Sequence, residues 1–188
     1  EGSKMIIGLD PSFKGFGVCL LDTHNKIITT VKLSEEIEKL SFDEICYSVD
    51  KLIDKLMLQI GGRKLDLVIT ETPPPTARFS AGLYALDYAV TRKLLKEKQC
   101  RVLGVSPSYI GHLHKKRKWN KSESVKLAKE IVNKVLIPSG YDIKVNFESN
   151  QCEALLIAMR GAYEQGLFRS MLSDVKPEYS DELEFNLY

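Results

Sequence analysis

The sequence predicts an α/β protein whose mixed sheet is covered by helices. The chain opens with two apolar runs on either side of a short turn, MIIGLDPSFKGFGVCLLD from Met5 to Asp22, which is typical of a β-hairpin. From Ser41 the apolar residues recur with helical spacing, and short apolar strands then alternate with amphipathic helices. An antiparallel start followed by β–α units favours a sheet with both parallel and antiparallel strands.

Length and composition suit one globular domain. The 188 residues are 44% hydrophobic and 28% charged, and the net charge of +2 means that any important basic surface must be local. The chain has no run of about 18 apolar residues, so we expect no membrane span and an intracellular location. The four widely spaced cysteines are expected to be buried free thiols. We place the folded domain at residues 5–168 and a loosely held acidic tail at 169–188.

Asp10 ends the first apolar strand, immediately before Pro11. A carboxylate at the end of a buried strand costs free energy unless it is paired. It either caps the turn, as Asp often does, or binds a cation.

Five further elements follow in order. We predict a strand at Lys26–Leu33, a helix from Ser41 to Ile60, a strand at Leu65–Thr70, a helix at Phe79–Lys98 and a strand at Arg101–Val105. The strand at 65–70 runs directly into Glu71, and the prolines from Pro73 onward cannot continue its hydrogen-bond ladder. A second carboxylate therefore ends a second buried strand.

The helix at 79–98 has two apolar faces. One face consists of Leu83, Leu86, Val90 and Leu94, and the other of Tyr84, Tyr88 and Leu95. We expect one face to pack on the sheet. The other either contacts a partner subunit or is buried within the monomer.

A concentrated basic segment lies between His112 and Lys126. Its cations are Lys115, Lys116, Arg117, Lys118, Lys121 and Lys126, against the single acid Glu123. Because Trp119 is embedded among these charges, the segment favours nucleic-acid contact over a merely solvated surface.

Two helices complete the predicted fold. Residues 122–136 form an amphipathic helix with Ser122 as its N-cap, and residues 148–165 form a helix that is apolar on both sides and therefore lies between other elements. Asn150 and Glu153 are three residues apart, so they are neighbours on the first turn of this last helix. Beyond Gly166 we expect an irregular, acidic segment.

The carboxylates are expected to meet at one edge of the sheet. If the first and fourth strands are parallel neighbours, Asp10 and Glu71 emerge side by side, and the last helix brings Asn150 and Glu153 to them. Carboxylates this close repel each other unless a hard divalent cation neutralises them, and Mg²⁺ suits such oxygen ligands. Two such ions about 4 Å apart would support phosphodiester hydrolysis without a His, Ser or Cys nucleophile.

Three stretches resemble motifs of the RuvC-type Holliday junction resolvases, a family of the ribonuclease H-like superfamily. GLDPSFKGFGV resembles the family's opening strand, VITETPPP resembles its strand ending in Glu, and NQCEALLIA resembles the start of its final helix. Together these motifs span the chain from Met5 to Met159 at the family's spacing.

The resemblance implies a five-stranded mixed sheet flanked by helices. It also implies a homodimer that nicks two strands of a four-way DNA junction symmetrically, in DNA recombination and repair, within a compartment that contains DNA. The implied cofactor is Mg²⁺, with Mn²⁺ as a substitute. The implied metal ligands are Asp10, Glu71, Asn150 and Glu153, with Lys121 close to the scissile phosphate. The expected DNA contacts are Arg78, Phe79, Lys115, Lys116, Arg117, Lys118, Trp119 and Lys121.

Two positions depart from the family pattern. Asn150 stands where the family usually has Asp, so either the lineage tolerates an amide, or Glu148 substitutes, or an Asp has been replaced and activity is impaired. The prolines after Thr72 stand where the bacterial enzymes place an aromatic residue that helps to open the junction, a role that Phe79 could take.

Other functions fit part of this pattern. A ribonuclease H-like nuclease acting on RNA–DNA hybrids or flaps has the same acidic site, and a scaffold that binds branched DNA without cutting it would tolerate Asn150. An actin-like kinase or ATPase also opens with a strand, an Asp and a glycine-containing turn. It needs two such lobes, which a 188-residue chain with one copy disfavours.

Overall fold

A computed structural model describes residues 4–36, 41–73, 80–105 and 121–175. Within these ranges the elements are β1 Met5–Asp10, β2 Phe16–Asp22, β3 Ile27–Leu33, α1 Phe42–Ile60, β4 Leu67–Glu71, α2 Ser80–Lys98, β5 Arg101–Val105, α3 Lys121–Ile131, β6 Asp142–Lys144, α4 Ser149–Glu164 and α5 Arg169–Val175. Helix α3 continues directly into a π-helical segment, Val132–Leu136.

The strands form one six-stranded mixed sheet with the order β5-β4-β1-β2-β3-β6. Strands β1, β2 and β3 pair antiparallel, whereas β1–β4, β4–β5 and β3–β6 are parallel. The predicted α/β class and the parallel pairing of the first and fourth strands are confirmed. The expected count of five strands is one too low because β6 has only three residues and no apolar run to reveal it.

Helices cover both faces of this sheet. Helices α1 and α2 pack on one face through residues such as Leu52, Leu56 and Leu86, together with the β1 residues Ile7 and Leu9. Helices α3, α4 and α5 form the core on the opposite face. The result is a three-layer α/β/α arrangement.

Helix α4 lies directly on the sheet, as its two apolar sides predicted. Twelve of its sixteen residues are buried. The approach is close because Gly8 of β1 has no side chain: a Cβ at this position would lie 2.2 Å from the carbonyl oxygen of Ala154. Gly8 therefore fixes how near the helix comes to the strand that carries Asp10.

Some local expectations are confirmed and others are wrong. Ser41 caps α1 in a reciprocal capping box with Glu44, in agreement with the predicted helix start. Helix α3 begins at Lys121, so Ser122 lies inside its first turn and is not its N-cap. Cys19, Cys100 and Cys152 are buried free thiols, but Cys46, which was also expected to be buried, is exposed.

The segment after Gly166 is not irregular at first. Residues 169–175 form α5, whose Leu172 is completely buried in the core beneath α3 and α4. Leu172 packs in the core together with the partly buried Met171 and Val175, and a helix of seven residues is too short to show a long periodic pattern in the sequence. Residues 176–188 lie outside the described ranges.

None of the helices in the described ranges is long and apolar enough to cross a membrane.

Candidate functional site

Asp10 and Glu71 end two adjacent parallel strands. Leu9 of β1 pairs with Thr70 of β4, so the two acids stand side by side one residue further along each strand. Neighbouring strands lie about 4.8 Å apart, which places the two carboxyl groups within strong electrostatic reach of each other.

Both acidic side chains belong to the face of the sheet that α4 covers. Side chains alternate along a strand. Gly8 lies under α4, and Ile69 contacts Gly161 of the same helix. Asp10 and Glu71, two residues further along their strands, therefore share that face, where the first turn of α4 presents Glu153.

Burial and neighbouring charges act on Asp10. Burial raises the pKa of Asp10 well above its usual range, and the charges of Glu71 and Glu153 and a hydrogen bond with Glu153 raise it further. The Lys121 ammonium partly offsets this effect by lowering the pKa of Asp10. The structure thus brings Asp10, Glu71, Glu153 and Lys121 together from four separate parts of the sequence.

Glu71 experiences a similar environment. Burial, followed by the charge of Glu153, raises the pKa of Glu71 from its ordinary value of 4.5 to about 7. Carboxyl groups that are both desolvated and adjacent to one another favour either a shared proton or a bound cation.

The acidic side chains lie near one another, but they are not arranged as a set of metal ligands. In the part of the chain that the structure describes, no group of three or more His, Cys, Asp or Glu side chains is arranged to hold a metal ion. The donor chemistry nevertheless suits a hard divalent cation, because the charged ligands all offer carboxylate oxygens.

Asn150 lies against the turn that follows Asp10. A Cβ at Gly15 would lie 2.0 Å from the Asn150 Nδ2 atom, so the amide packs on the β1–β2 turn itself. The Glu148 carboxylate is engaged elsewhere, in an ion pair of 2.5 Å with Lys32 of β3. Because β3 is separated from β1 by β2, this pairing argues against Glu148 as a substitute ligand.

Sequence reasoning missed the polar side chains that hold the start of α4. Ser124 of α3 is fully buried, and its hydroxyl donates a hydrogen bond of 3.5 Å to Oε1 of Glu153. Thr30 of β3 donates a hydrogen bond of 2.9 Å to Oε1 of Gln151, and both residues are buried. The sequence signal for these contacts was the presence of polar residues at positions where the periodicity predicts apolar ones.

Of the eight predicted DNA contacts, the structure describes Lys121. Lys121 is exposed at the start of α3. Arg78, Phe79, Lys115, Lys116, Arg117, Lys118 and Trp119 lie outside the described residues.

The sheet order and the helices on both faces define a ribonuclease H-like fold of the RuvC type. The structure of Thermus thermophilus RuvC matches with a TM-score of 0.58 at 17% sequence identity, over 86% of this chain and 96% of that chain. A structure of T. thermophilus RuvC in complex with a Holliday junction substrate matches with a TM-score of 0.52 at 14% identity, over 87% of this chain and 96% of that chain. No family model and no curated protein matches the sequence. At these identities the likeness establishes the fold.

Proposed function

We propose that the protein is a metal-dependent, structure-specific endodeoxyribonuclease that resolves four-way DNA junctions by paired nicks. The observation that carries this proposal is the meeting of Asp10, Glu71 and Glu153 at one edge of a RuvC-type sheet. The match to a RuvC structure that holds a Holliday junction supports branched DNA as the substrate.

Mg²⁺ is the cofactor we propose, and Mn²⁺ should substitute for it. Asp10, Glu71 and Glu153 would hold it, together with the side-chain oxygen of Asn150. Bound divalent ions would activate a water and stabilise the leaving oxygen in phosphodiester hydrolysis. The carboxylates repel each other, and a divalent cation that neutralises this repulsion would be bound favourably.

The remaining side chains of the site act on the phosphate and on the ligands. We assign Lys121 to the scissile phosphate, because its ammonium already acts on Asp10 at the same place. Ser124 restrains Glu153 through their hydrogen bond, and Gln151 anchors the helix turn that carries Glu153 to β3. The basic residues at 115–118, with Arg78, Phe79 and Trp119, would bind the DNA backbone and bases.

Asn150 supports one alternative. Because an amide carries no charge, the site has one carboxylate fewer than the RuvC-type family that the sequence resembles. A scaffold that binds branched DNA without cutting it would not need this fourth acid. The two functions predict different results for Asn150→Asp: the nuclease should cleave junctions faster after this change, whereas the scaffold should not cleave them.

We further propose that the protein acts as a homodimer through the outer face of α2. Tyr84, Tyr88 and Leu95 on this helix are 45%, 66% and 49% exposed. The opposite stripe of the helix, which includes Leu86, Val90 and Leu94, is buried against the sheet. A second copy would cover the exposed stripe, and two sites related by symmetry would account for paired nicks. Such an enzyme would work in an intracellular compartment that contains DNA.

Gel-based cleavage of synthetic substrates tests the function. Four-way junctions, RNA–DNA hybrids and flaps are compared with Mg²⁺, with Mn²⁺ and with chelator, using Glu71→Gln as the inactive control. We expect nicks on two opposite strands of the junction that require the metal and are lost in the variant. Preferential cutting of hybrids or flaps would select the other ribonuclease H-like activity, and binding without any cutting would select the scaffold.

A further inference from the structure

Thr70 and Asp87 link the site strand to helix α2. The Thr70 hydroxyl donates a hydrogen bond of 3.0 Å to Oδ1 of Asp87. Thr70 is only 2% exposed and immediately precedes Glu71. Because side chains alternate along a strand, Thr70 faces the α2 layer while Glu71 faces α4.

Asp87 is a partly buried acid on the face of α2 that packs on the sheet. Burial raises the pKa of Asp87, whereas the hydrogen bond from Thr70 lowers it. Its helix neighbours Leu86 and Val90 are buried apolar residues. An apolar side chain here would avoid the desolvation of an acid, so Asp87 is better explained by the bond that it accepts.

Thr72, the residue after Glu71, is also fixed by hydrogen bonds. The backbone N–H of Thr72 donates to the carbonyl oxygen of Val105 at 2.7 Å, and its hydroxyl donates to the same oxygen at 2.9 Å. Glu71 therefore lies between two threonines that are both hydrogen-bonded. Thr72 bonds to β5, and Thr70 bonds to α2 through one side-chain hydrogen bond.

We infer that Asp87 is a positioning residue that, through Thr70, holds the end of β4 so that Glu71 faces Asp10 and Glu153. This inference deepens the proposed function and rests on it. The Thr70–Asp87 bond would also connect the exposed face of α2 to the site, because Tyr84 and Tyr88 of that face lie on either side of Asp87 in the sequence of the helix. A contact that shifts α2 would reach Glu71 through the Thr70–Asp87 bond.

Thr70→Val and Thr70→Ser separate the hydrogen bond from the packing. Valine removes the donor with little change in shape, while serine keeps it. Mn²⁺ affinity is measured without DNA by electron paramagnetic resonance, and amide hydrogen exchange at Glu71 and Thr72 is measured in the metal-free protein. We expect Thr70→Val to weaken Mn²⁺ binding roughly 10-fold, as is typical for loss of an outer-shell partner, and to speed exchange at both amides. Thr70→Ser should stay within about twofold of the wild type for both measurements.

A purely structural role predicts a different pattern. It would lower the melting temperature while Mn²⁺ affinity, measured well below that temperature, stayed unchanged. Asp87→Asn keeps an acceptor for the Thr70 hydroxyl and should resemble the wild type, whereas Asp87→Ala should resemble Thr70→Val. Thr29→Val, on β3 where it pairs with Lys144, is the matched strand-threonine control and should leave both readouts unchanged.

The outcomes separate this inference from the proposed function. If the wild type binds Mn²⁺ and cuts junctions but Thr70→Val keeps wild-type affinity and exchange, the positioning role is wrong and the nuclease stands. If the wild type binds no Mn²⁺, the nuclease proposal fails and the inference fails with it. In the active enzyme, Thr70→Val should lower kcat while leaving KM for the junction unchanged, since neither partner is placed on the DNA surface.

Discussion

Asp10, Glu71 and Glu153 form a desolvated acidic group at the edge of an otherwise apolar sheet. The raised pKa values of Asp10 and Glu71 come from burial first and from the charges of neighbouring carboxylates second. This order matters because solvent does not screen their repulsion as it would on an exposed surface. In a protein without bound cations, the repulsion between these carboxylates should therefore increase as pH rises and they ionise.

The raised pKa values of Glu71 and Asp10 make the stability of the protein depend on pH. The pKa of Glu71 is raised from 4.5 to about 7, so between these values the folded protein holds a proton that the unfolded chain releases. The free energy of unfolding of the protein in chelator should therefore fall as pH rises through this window, by roughly 3 kcal/mol from Glu71 alone at 1.36 kcal/mol per unit, and Asp10 adds to the decrease in the same direction. Urea titrations at pH 5 and pH 8 in chelator measure this change.

Two variants and the metal check the origin of this pH dependence. Glu71→Gln should lose much of the decrease, and Glu97→Gln, at an exposed position on α2, should keep it. Mg²⁺ should stabilise the wild type more at pH 8 than at pH 6, because the cation and the proton compete for the same carboxyl. Equal Mg²⁺ stabilisation at both values would argue against binding at Glu71.

Asn150→Asp should raise Mg²⁺-dependent junction cleavage. The change adds a fourth carboxylate beside the turn after Asp10 with almost no change in side-chain shape, so metal affinity should increase. A Mg²⁺ titration of the cleavage rate measures this, with Glu148→Gln as the control because Glu148 is paired with Lys32. Identical titrations for wild type and Asn150→Asp would exclude position 150 from the metal site.

At the scale of elements, the close seating of α4 on β1 determines where Glu153 lies. The helix backbone contacts Gly8 directly, and the polar contacts of Gln151 and Ser124 hold its first turn. Glu153 therefore reaches the two strand-end acids because of how an entire buried helix is docked, rather than through a flexible loop.

Gly8→Ala should destabilise the protein. The added Cβ would lie 2.2 Å from a backbone oxygen of α4, which cannot move as an isolated side chain can. Overpacking of this kind costs roughly 1–3 kcal/mol or more, and the displaced helix should also weaken Mn²⁺ binding. Gly62→Ala is the matched control, because a Cβ at Gly62 has nothing within 4 Å. Urea midpoints of the two variants provide the comparison, and equal midpoints would contradict the assigned role of Gly8.

The strong periodic elements and the strand-end acids could be predicted from the sequence. Asp10 and Glu71 each end a short apolar strand, and the expected parallel pairing of these two strands placed the acids side by side. The short strand β6 and helix α5 could not be predicted, because pairing with β3 and burial of Leu172 create them. The Thr70–Asp87 bond joins residues 17 positions apart across two layers, and no local pattern marks such a contact.

At the scale of the whole molecule, the exposed stripe on α2 predicts self-association. Tyr88→Glu should convert a dimer into a 21.3 kDa monomer, because a charge at the centre of an apolar interface must be desolvated without a partner. Light scattering after size exclusion measures the mass. Ile137→Glu is a suitable control, since Ile137 is also exposed but follows the helix on the opposite face of the sheet.

The same variant tests how nicks are paired. A monomer with an intact acidic site should still bind Mn²⁺ but should cut junction strands singly, so nicked intermediates should accumulate on the gel. A Tyr88→Glu protein that remains dimeric and resolves junctions normally would place the subunit contact elsewhere.

The parallel register of β1 and β4 has a practical consequence for protein preparation. Slippage of β4 by a single residue would turn Glu71 towards α2 and bring Thr70 or Thr72 to its place, while leaving the overall spectroscopic signature of the fold nearly unchanged. The number of moles of Mn²⁺ bound per mole of protein would then report the fraction of molecules that are correctly aligned, which circular dichroism cannot distinguish. Batches refolded from denaturant should be graded by metal stoichiometry before their turnover rates are compared.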